Sequence, residues 1–336
     1  MAVGMTLDQH PNFRDLINIT SEDLGIIPEL VEKDYWVTRV LRALASDSSL
    51  KKQIIFKGGT SLSKGWKLID RFSEDVDLLT TGPEFSAPPT KAERAKLFGQ
   101  IIECIERETP LKRPSIEKLP ENEQNFLYFR GKWNCSVRLQ LPGRQIARGS
   151  NPAEYVFLEM GFRGGPQPID RIGLNSFIGE AILGGRTADA DRLSDYADDF
   201  QPFEFVLLHP TRTFVEKLLA LDASLAKGAE YVRTRHYSDV SSLYTRFEGM
   251  QTLIRSPDFR QLARDAIKIG NEYFGTTVDP DLNLAKSPAL NLEPEQIEIL
   301  ERQYKAEAAY YFKGQQPFSE ILDTLNKIRE DLIAAS

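Results

Sequence analysis

Two aspartates, Asp75 and Asp77, stand one residue apart at the start of the segment DVDLLT, residues 75–80. The alternation of this segment predicts a β-strand, because successive side chains of a strand point to opposite faces. Both carboxylates then project from one face, with Cα atoms roughly 6.5 Å apart, while Val76 and Leu78 enter the core on the other. Adjacent carboxylates repel each other, and a divalent cation would stabilise both ionised forms through hard oxygen ligands. The pair therefore predicts a site for Mg²⁺ (or Mn²⁺).

A glycine pair, Gly58 and Gly59, precedes the aspartates in FKGGTSLSKGWKLIDRFSEDVDLL, residues 56–79. Hydrophobic periodicity predicts a strand at 53–56 before the glycines and a helix at 60–69 after them. A glycine pair alone is typical of an ordinary turn, and an Asp-x-Asp pair alone is typical of a solvated strand end. Their order, with fifteen residues between Gly59 and Asp75, points instead to a functional site.

The glycine turn is suited to an anion. Glycine lets the backbone approach a ligand closely, and the first N–H groups of a helix attract negative charge. Thr60 and Ser61 add hydroxyl donors. A nucleoside triphosphate (NTP) satisfies both halves of the segment, because its phosphates lie against the turn while its oxygens complete the coordination of the metal.

The chain changes from mixed to helical character at about residue 200. Before that point we predict a helix starting near Pro28, a proline-rich loop at 82–90 followed by a helix, and strands at 136–141 and 155–162. After it, helical spacing recurs in 211–226, 238–248, 257–273 and 293–332. The segment 276–294 is expected to be an irregular connection. We therefore expect an α+β fold, with a mixed sheet and flanking helices in residues 1–200 and a mainly helical domain in residues 201–336.

Composition excludes some classes of protein. The 336 residues are 41% hydrophobic and 27% charged, which is typical of a globular chain. No run approaches the roughly 18 apolar residues of a membrane span, and the first residues lack a signal-peptide core, so we expect a cytoplasmic protein that does not contact a membrane. Cys104 and Cys135 are too few and too far apart for a disulfide framework or a zinc site, and we interpret them as core residues.

The net charge of −7 argues against a general nucleic-acid coat protein but allows a local basic groove. The segment RGKWNCSVRLQLPGRQIARG, residues 130–149, contains no acid. Its basic residues are Arg130, Lys132, Arg138, Arg144 and Arg148. Two interpretations remain open: a solvated hairpin whose charges protect an edge strand, or a surface that holds RNA phosphates.

Several segments together resemble a known family. They are VEKDYWVTRVL (31–41), KGGTSLSKGWKLIDRFSEDVDLL (57–79), RTFVEKLLAL (212–221) and RTRHYSDVSSLY (233–244). They resemble the AbiEii/AbiGii (MenT-like) toxin branch of the DNA polymerase beta-like nucleotidyltransferases, over roughly residues 28–245. The resemblance implies a nucleotidyltransferase-type mixed sheet that holds the carboxylates, a helical C-terminal half that completes the active site, use of an NTP and Mg²⁺, and a toxin with a cognate antitoxin.

The resemblance also implies roles for individual residues. It assigns phosphate binding to Gly58, Gly59, Thr60 and Ser61, metal binding to Asp75 and Asp77, and further catalytic positions to Ser73, Lys217 and Asp239. Thr60 stands where the wider superfamily often has serine, which leaves the choice between the Thr60 and Ser61 hydroxyls open. Lys217 would also contact the triphosphate as a point charge on the departing pyrophosphate.

Four residues have a second interpretation. Glu159, a third metal ligand by analogy with the superfamily, could instead be an exposed glutamate paired with Arg163 or Arg138. Lys217 could extend its stem across an apolar helix face, and Asp239 could favour a helix N-terminus through the dipole. His236 is either structural or faces RNA.

The leading hypothesis is Mg²⁺-dependent transfer of a nucleoside monophosphate (NMP) from an NTP to the 3′ end of tRNA, or to another RNA acceptor, with an arrest of growth as the consequence. One alternative is nucleotidylation or phosphorylation of a protein acceptor. Another is a non-catalytic module that binds GTP or RNA.

Overall fold

The computed structural model describes residues 5–73, 75–86, 89–117, 119–131, 133–146, 151–162, 164–187 and 190–335. The chain divides into two compact units. The first consists of Met1–Gly65, Glu74–Phe162 and Asp170–Leu207, and the second of Trp66–Ser73, Arg163–Ile169 and Leu208–Ser336. The domain division at residue 200 stays a prediction.

The described strands form one mixed sheet, which confirms the expected α+β class. The strands are β1 (Ile54–Lys57), β2 (Asp75–Thr80), β3 (Tyr128–Arg130), β4 (Asn134–Gln140), β5 (Tyr155–Gly161), β6 (Ile169–Leu174) and β7 (Phe203–Leu208). Their order is β3-β4-β5-β2-β1-β7-β6. β2 lies antiparallel to β1 and parallel to β5, while β4 lies antiparallel to both β3 and β5. The carboxylate strand β2 is therefore an interior strand.

The sequence predicts four of these strands and misses three. The prediction for β2 is confirmed residue for residue, and β1, β4 and β5 shift by no more than two residues. β3 is too short for a periodic signal, and β6 interrupts its apolar residues with Asp170 and Arg171. β7 lies beyond residue 200, where only helices are expected, and pairs in parallel with β1.

The helices of the first unit flank the sheet. They are α1 (Phe13–Leu24), α2 (Pro28–Ser46), α3 (Gly58–Lys64), α4 (Lys91–Glu108), α5 (Glu121–Leu127), α6 (Phe177–Leu183) and α7 (Ala197–Phe200). α2 begins at Pro28 as predicted, because proline lacks the N–H that the first helical position cannot use. α2 packs against α4 and β5. This packing covers the apolar side of the sheet.

The prediction of a helix at 60–69 is wrong at both ends. α3 begins at Gly58, so the two glycines form its first turn instead of a preceding loop. It ends at Lys64, and Lys67 has a positive φ of 54°, which a continuing helix does not allow. The glycines therefore lie directly where the chain leaves β1.

The second unit is helical, as predicted. Its helices are α8 (Pro210–Leu225), α9 (Arg235–Arg246), α10 (Met250–Ile254), α11 (Pro257–Phe274), α12 (Pro294–Ala306) and α13 (Phe318–Ala334). The predicted helical region 293–332 is in fact two helices, separated by Gly314 with a φ of 85° and by Pro317. The segment 276–294 is irregular apart from two short 3₁₀ turns, as expected. Its second turn is fixed by Asp222, which accepts hydrogen bonds from Ser287 and Ala289.

The core of the first unit is formed by alternate residues of its interior strands. Val76 and Leu78 of β2 and Val156 and Leu158 of β5 are at most 2% exposed. Cys104 and Cys135 are both buried, which confirms that they are core residues. Within the described part of the chain, no helix combines the length and apolar character needed to cross a membrane.

A buried ion pair joins α2 to α3. Lys64 Nζ lies 2.6 Å from Asp34 Oδ1, and the two side chains are 3% and 7% exposed. The other carboxylate oxygen of Asp34 accepts the backbone N–H of Phe177 at 2.7 Å, at the start of α6. Removal of the Asp34 charge would leave the buried Lys64 ammonium group less well compensated. Asp34 therefore fixes the helix that carries the glycine pair.

We expect Asp34→Asn to lower the free energy of unfolding by about 1.5–3 kcal/mol, because Lys64 would keep its buried charge and lose the negative charge of Asp34. The matched control is Glu84→Gln, which removes an ion pair of similar length, 2.8 Å, whose side chains are 54% and 69% exposed. Its loss should cost less than about 1 kcal/mol. Urea unfolding measures both values, and similar small losses in the two variants would contradict the role given to Asp34.

Candidate active site

The strand register brings the predicted carboxylates together on one face of the sheet. Residues at the same level of neighbouring strands share a face, and Asp77 has Lys57 on one side and Glu159 on the other. These side chains, with that of Asp75, are half-buried, whereas those of Val76 and Leu78 between them are buried. The prediction that Asp75 and Asp77 project together from the face opposite the core is therefore consistent with the structure, and Glu159 lies on that face beside Asp77.

The backbone at Gly58 passes directly against the carboxylate of Asp77. Gly58 has a φ of 76°, and a Cβ atom there would overlap Asp77 Oδ2 and lie 2.8 Å from Asp77 Cγ. Two independent constraints thus require glycine: the left-handed backbone and the space that the carboxylate occupies. The sequence predicts that the glycine backbone approaches a ligand closely. In the structure, the backbone of Gly58 closely approaches the Asp77 carboxylate.

The two hydroxyls after the glycines bond to the backbone. Thr60 Oγ1 donates to the carbonyl oxygen of Asp75, and Ser61 Oγ donates to the carbonyl oxygen of Gly58 at 2.9 Å. Thr60 therefore ties α3 to the first residue of β2. Because each hydroxyl has a single proton, a phosphate could accept a hydrogen bond from either one only after its present bond is given up.

The carboxylates could supply part of a metal site. Among the described residues, His, Cys, Asp and Glu side chains form no group of three or more that could hold a metal ion. Asp75 and Asp77 fit a hard divalent cation as a pair of oxygen donors, and the absence of a side chain at Gly58 makes room for the Asp77 carboxylate. Further ligands would have to come from bound substrate or water.

A second cluster of predicted residues lies within the second unit. Lys217 on α8 places Nζ 2.7 Å from Asp239 Oδ2 on α9. Arg71 donates to both carboxylate oxygens of Asp239, at 2.7 Å each. The three side chains are between 0% and 8% exposed. The structure therefore brings Lys217 and Asp239 together as a buried ion pair.

The charges of this cluster determine its protonation. Burial alone would raise the pKa of Asp239, but the cations of Arg71 and Lys217 outweigh that effect and hold the pKa well below the ordinary value. Asp239 is the fifth residue of α9, beyond the first turn, so an interaction with the helix N-terminus does not explain it. Two cations contact this carboxylate, and Glu307 is a further negative charge that acts on Arg71.

His236 lies on α9, about one helical turn before Asp239. Burial, and then the nearby Lys217 cation, lower the pKa of His236 to about 2. The imidazole is therefore neutral at physiological pH and adds no positive charge for a phosphate. Ser73 is the other predicted residue in this unit. It follows Phe72, whose backbone N–H donates a hydrogen bond to the backbone carbonyl oxygen of Tyr310 at 2.7 Å.

Arg71 is the residue that sequence reasoning missed. It stands in the sequence LIDRFSEDVD, where apolar neighbours on both sides indicate burial. A buried arginine requires a carboxylate partner, which was the available signal. The partner itself, 168 residues further along the chain, could not be read from the sequence.

Arg130 and Arg138 of the basic segment 130–149 lie on opposite faces of the sheet. Arg130 pairs in register with Cys135, on the apolar side of the sheet, while Arg138 lies on the carboxylate side next to Phe157. Arg144 forms an ion pair with Glu32 at 2.8 Å. Lys132 and Arg148 lie outside the described residues, as does Arg163, one of the partners considered for Glu159. Arg130 is exposed on the edge strand β3, as the hairpin interpretation expects, and a role of this segment in holding RNA phosphates stays a hypothesis.

Comparison with known proteins identifies a family and several similar solved structures. The family described as "Nucleotidyl transferase AbiEii toxin, Type IV TA system" matches residues 39–324. The structure of MenT4, a nucleotidyltransferase toxin from Mycobacterium tuberculosis H37Rv, aligns with 95% of this chain and 94% of its own, at 12% sequence identity and a TM-score of 0.49. No curated protein sequence matches this chain.

We expect Gly58→Ala to be more destabilising than Gly25→Ala. Both glycines have positive φ, 76° and 65°, but a Cβ at Gly25 would meet no atom within 4 Å, whereas one at Gly58 would overlap Asp77. Gly25→Ala should therefore cost about 1 kcal/mol from backbone strain alone, and Gly58→Ala about 1–3 kcal/mol more. Equal losses in thermal or urea unfolding would show that the Asp77 carboxylate yields without cost.

We expect Asp239→Asn to lower the free energy of unfolding by about 3–5 kcal/mol at pH 7. Because the pKa of Asp239 is lower in the folded than in the unfolded protein, its contribution is complete above the unfolded pKa of about 3.9 and is lost as the pH falls below it. The difference between wild type and variant should therefore shrink as the pH is lowered from about 5 to 3.

The control for Asp239 is Asp281→Asn, which removes an ion pair to Arg264 of the same 2.7 Å length with side chains 54% and 70% exposed. Its cost should stay below about 1 kcal/mol at every pH. Urea unfolding across the pH range tests both variants, and a pH-independent difference for Asp239→Asn would contradict the lowered pKa.

Proposed function

Because this chain belongs to the AbiEii nucleotidyltransferase toxin family, we propose that it transfers an NMP from an NTP to the 3′ end of tRNA in a Mg²⁺-dependent reaction. The family is one of toxins of toxin–antitoxin systems, so a cognate antitoxin is the expected partner. The single observation that carries the proposal is the glycine backbone at Gly58 held against Asp77, beside Asp75 on the same sheet face. Backbone suited to phosphates and oxygen ligands suited to Mg²⁺ thereby meet at one point.

The reaction forms one bond and breaks one. The oxygen of the acceptor 3′-hydroxyl attacks the α-phosphorus, and the bond from that phosphorus to the oxygen bridging to the β-phosphate breaks. Pyrophosphate leaves with that bridging oxygen, and the hydroxyl proton passes to solvent or to a nearby carboxylate. When bound, Mg²⁺ would neutralise phosphate charge and lower the pKa of the attacking hydroxyl.

The residues of this chain supply position and charge. Asp75 and Asp77 would hold the metal, and Glu159, which lies beside Asp77, would become a third ligand only if its side chain moved towards them. The Gly58–Gly59 backbone would lie against the phosphates, and the Thr60 and Ser61 hydroxyls would orient them after rotating away from their backbone acceptors. Placement of the reactants and neutralisation of charge would supply most of the rate.

The proposal also includes the residues of the second unit. It assigns to Lys217 the neutralisation of charge on the departing pyrophosphate, and family membership supports that role. Asp239 and Arg71 would then hold the ammonium group in place, since Asp239 contacts both cations. Ser73 would take the position of the serine that precedes the carboxylate pair in the family.

We expect wild-type protein to move label from one α-³²P-labelled NTP into tRNA-sized RNA when it is incubated with Mg²⁺ and total cellular RNA. Asp77→Asn should reduce the rate by at least about 100-fold while the melting temperature stays close to wild type, because a metal ligand and its charge are lost. The control Glu204→Gln changes an exposed carboxylate on β7 of the same sheet and should transfer label at the wild-type rate.

Three outcomes separate the alternatives. RNase-resistant label in a protein band would favour a protein acceptor. Nucleotide binding without release of pyrophosphate would favour a non-catalytic module. Full activity of Asp77→Asn, or activity in the presence of excess EDTA, would contradict the metal assignment.

A further inference from the structure

An aromatic side chain lies next to the carboxylates on the same face of the sheet. Phe157 on β5 is in register with Asp75 on β2 and with Arg138 on β4. Its neighbours Val156 and Leu158 are fully buried in the core, whereas Phe157 itself is only half-buried. The fold thus holds an apolar ring at the level of Asp75, on the half-exposed side of the sheet.

The ring of Phe157 is supported by Arg138. The guanidinium carbon of Arg138 lies 4.2 Å from the centroid of the Phe157 ring and 3.9 Å from that of Phe126. Arg138 also donates a hydrogen bond to the carbonyl oxygen of Phe126. The guanidinium therefore lies against the rings of Phe157 and Phe126, with the centroid of the Tyr155 ring at 5.2 Å, and a fixed cation covers one side of Phe157.

Arg138 keeps its positive charge without a carboxylate. Within the described residues it forms no ion pair, and its Nε atom is buried without a hydrogen-bond acceptor. A cation placed on aromatic rings, with no counter-charge beside it, favours an electron-rich ring or a phosphate nearby. Core packing alone would be served better by an apolar side chain at position 138, because it would leave no buried donor without an acceptor.

We propose that Phe157, supported by Arg138, is a stacking platform for a nucleobase of a substrate bound at Asp75 and Asp77. This inference rests on the proposed function. Arg138 lies on the β4 side of Phe157 and Asp75 lies on the β2 side, so a base stacked on the part of this half-exposed ring towards β2 would lie beside the carboxylates. Stacking on an aromatic ring accepts any base, and the platform therefore supplies affinity and position without choosing the nucleotide.

The test compares Phe157→Leu with Phe126→Leu. Each variant removes one ring that contacts Arg138, but of these two residues only Phe157 is in register with Asp75. Equilibrium dialysis with the α,β-methylene analogue of each NTP and Mg²⁺ gives the Kd for nucleotide, and initial rates of label transfer give the KM for RNA. Phe157→Tyr, which keeps an aromatic ring, serves as the conservative variant.

The platform predicts a rise of about 10-fold in one of these two constants for Phe157→Leu, with kcat changed by less than about threefold. A rise in the nucleotide Kd identifies the base as that of the NTP, and a rise in the KM for RNA identifies it as that of the acceptor. Phe157→Tyr and Phe126→Leu should both stay within about twofold of wild type.

The inference is overturned if Phe157→Leu leaves both constants unchanged. It is also overturned if Phe126→Leu raises them equally, because the effect would then come from the loss of a ring contact to Arg138. Failure of the proposed function looks different: the wild-type protein itself would transfer no label to RNA. If only the platform inference is wrong, the wild-type protein transfers label to RNA, and Phe157→Leu has the same nucleotide Kd and the same KM for RNA as wild type.

Discussion

The burial of one face of β2 constrains the site more than any other feature of the first unit. Val76 and Leu78 are at most 2% exposed, and they can be buried only on the side of the sheet opposite Asp75 and Asp77. A slip of one residue in the pairing of β2 would exchange the two sets and bury both carboxylates. Because β2 is paired on both edges, with β1 and with β5, such a slip would disrupt two ladders at once. Hydrophobic burial thus fixes the direction of the charged side chains.

Buried charges hold the segments that carry the motifs in each unit. Asp34 binds Lys64 at the end of α3 in the first unit, and Asp239 binds Arg71 and Lys217 in the second. In both cases a carboxylate joins segments that are distant in sequence, and loss of one partner would leave a charge in a medium that solvates it poorly. The segments VEKDYWVTRVL and RTRHYSDVSSLY, which resemble the family, therefore contain carboxylates whose first observable role is to hold other elements in place. For Asp239 this role is compatible with catalysis, since it also fixes the ammonium group of Lys217.

The sequence was sufficient where the signal is local. The strand at 75–80 and the start of α2 at Pro28 follow from alternation and from the chemistry of proline, and both are confirmed. The start of α3 was misplaced because glycine usually favours a turn, whereas here Gly58 begins a helix so that its backbone can pass Asp77. β7 was missed because its identity as a strand depends on pairing with β1. Arg71 was missed because its meaning depends on Asp239, and a sequence pattern contains no information about pairs so distant.

The same period of two that aligns Asp75 with Asp77 divides the basic segment between the two faces of the sheet. Counted along the sequence, residues 130–149 form a positive cluster, but β3 and β4 send alternate residues to opposite faces. Arg130 therefore lies on the apolar side of the sheet, and Arg138 lies on the side that carries the carboxylates. Charge density along a strand is thus divided between two surfaces, and only the residues of one parity contribute to either. Arg138 shares the face of Asp75 and Asp77, and it stacks on Phe157 of the neighbouring strand. The surroundings of a charged residue in this sheet therefore depend on its neighbours across the strands more than on its neighbours along the chain.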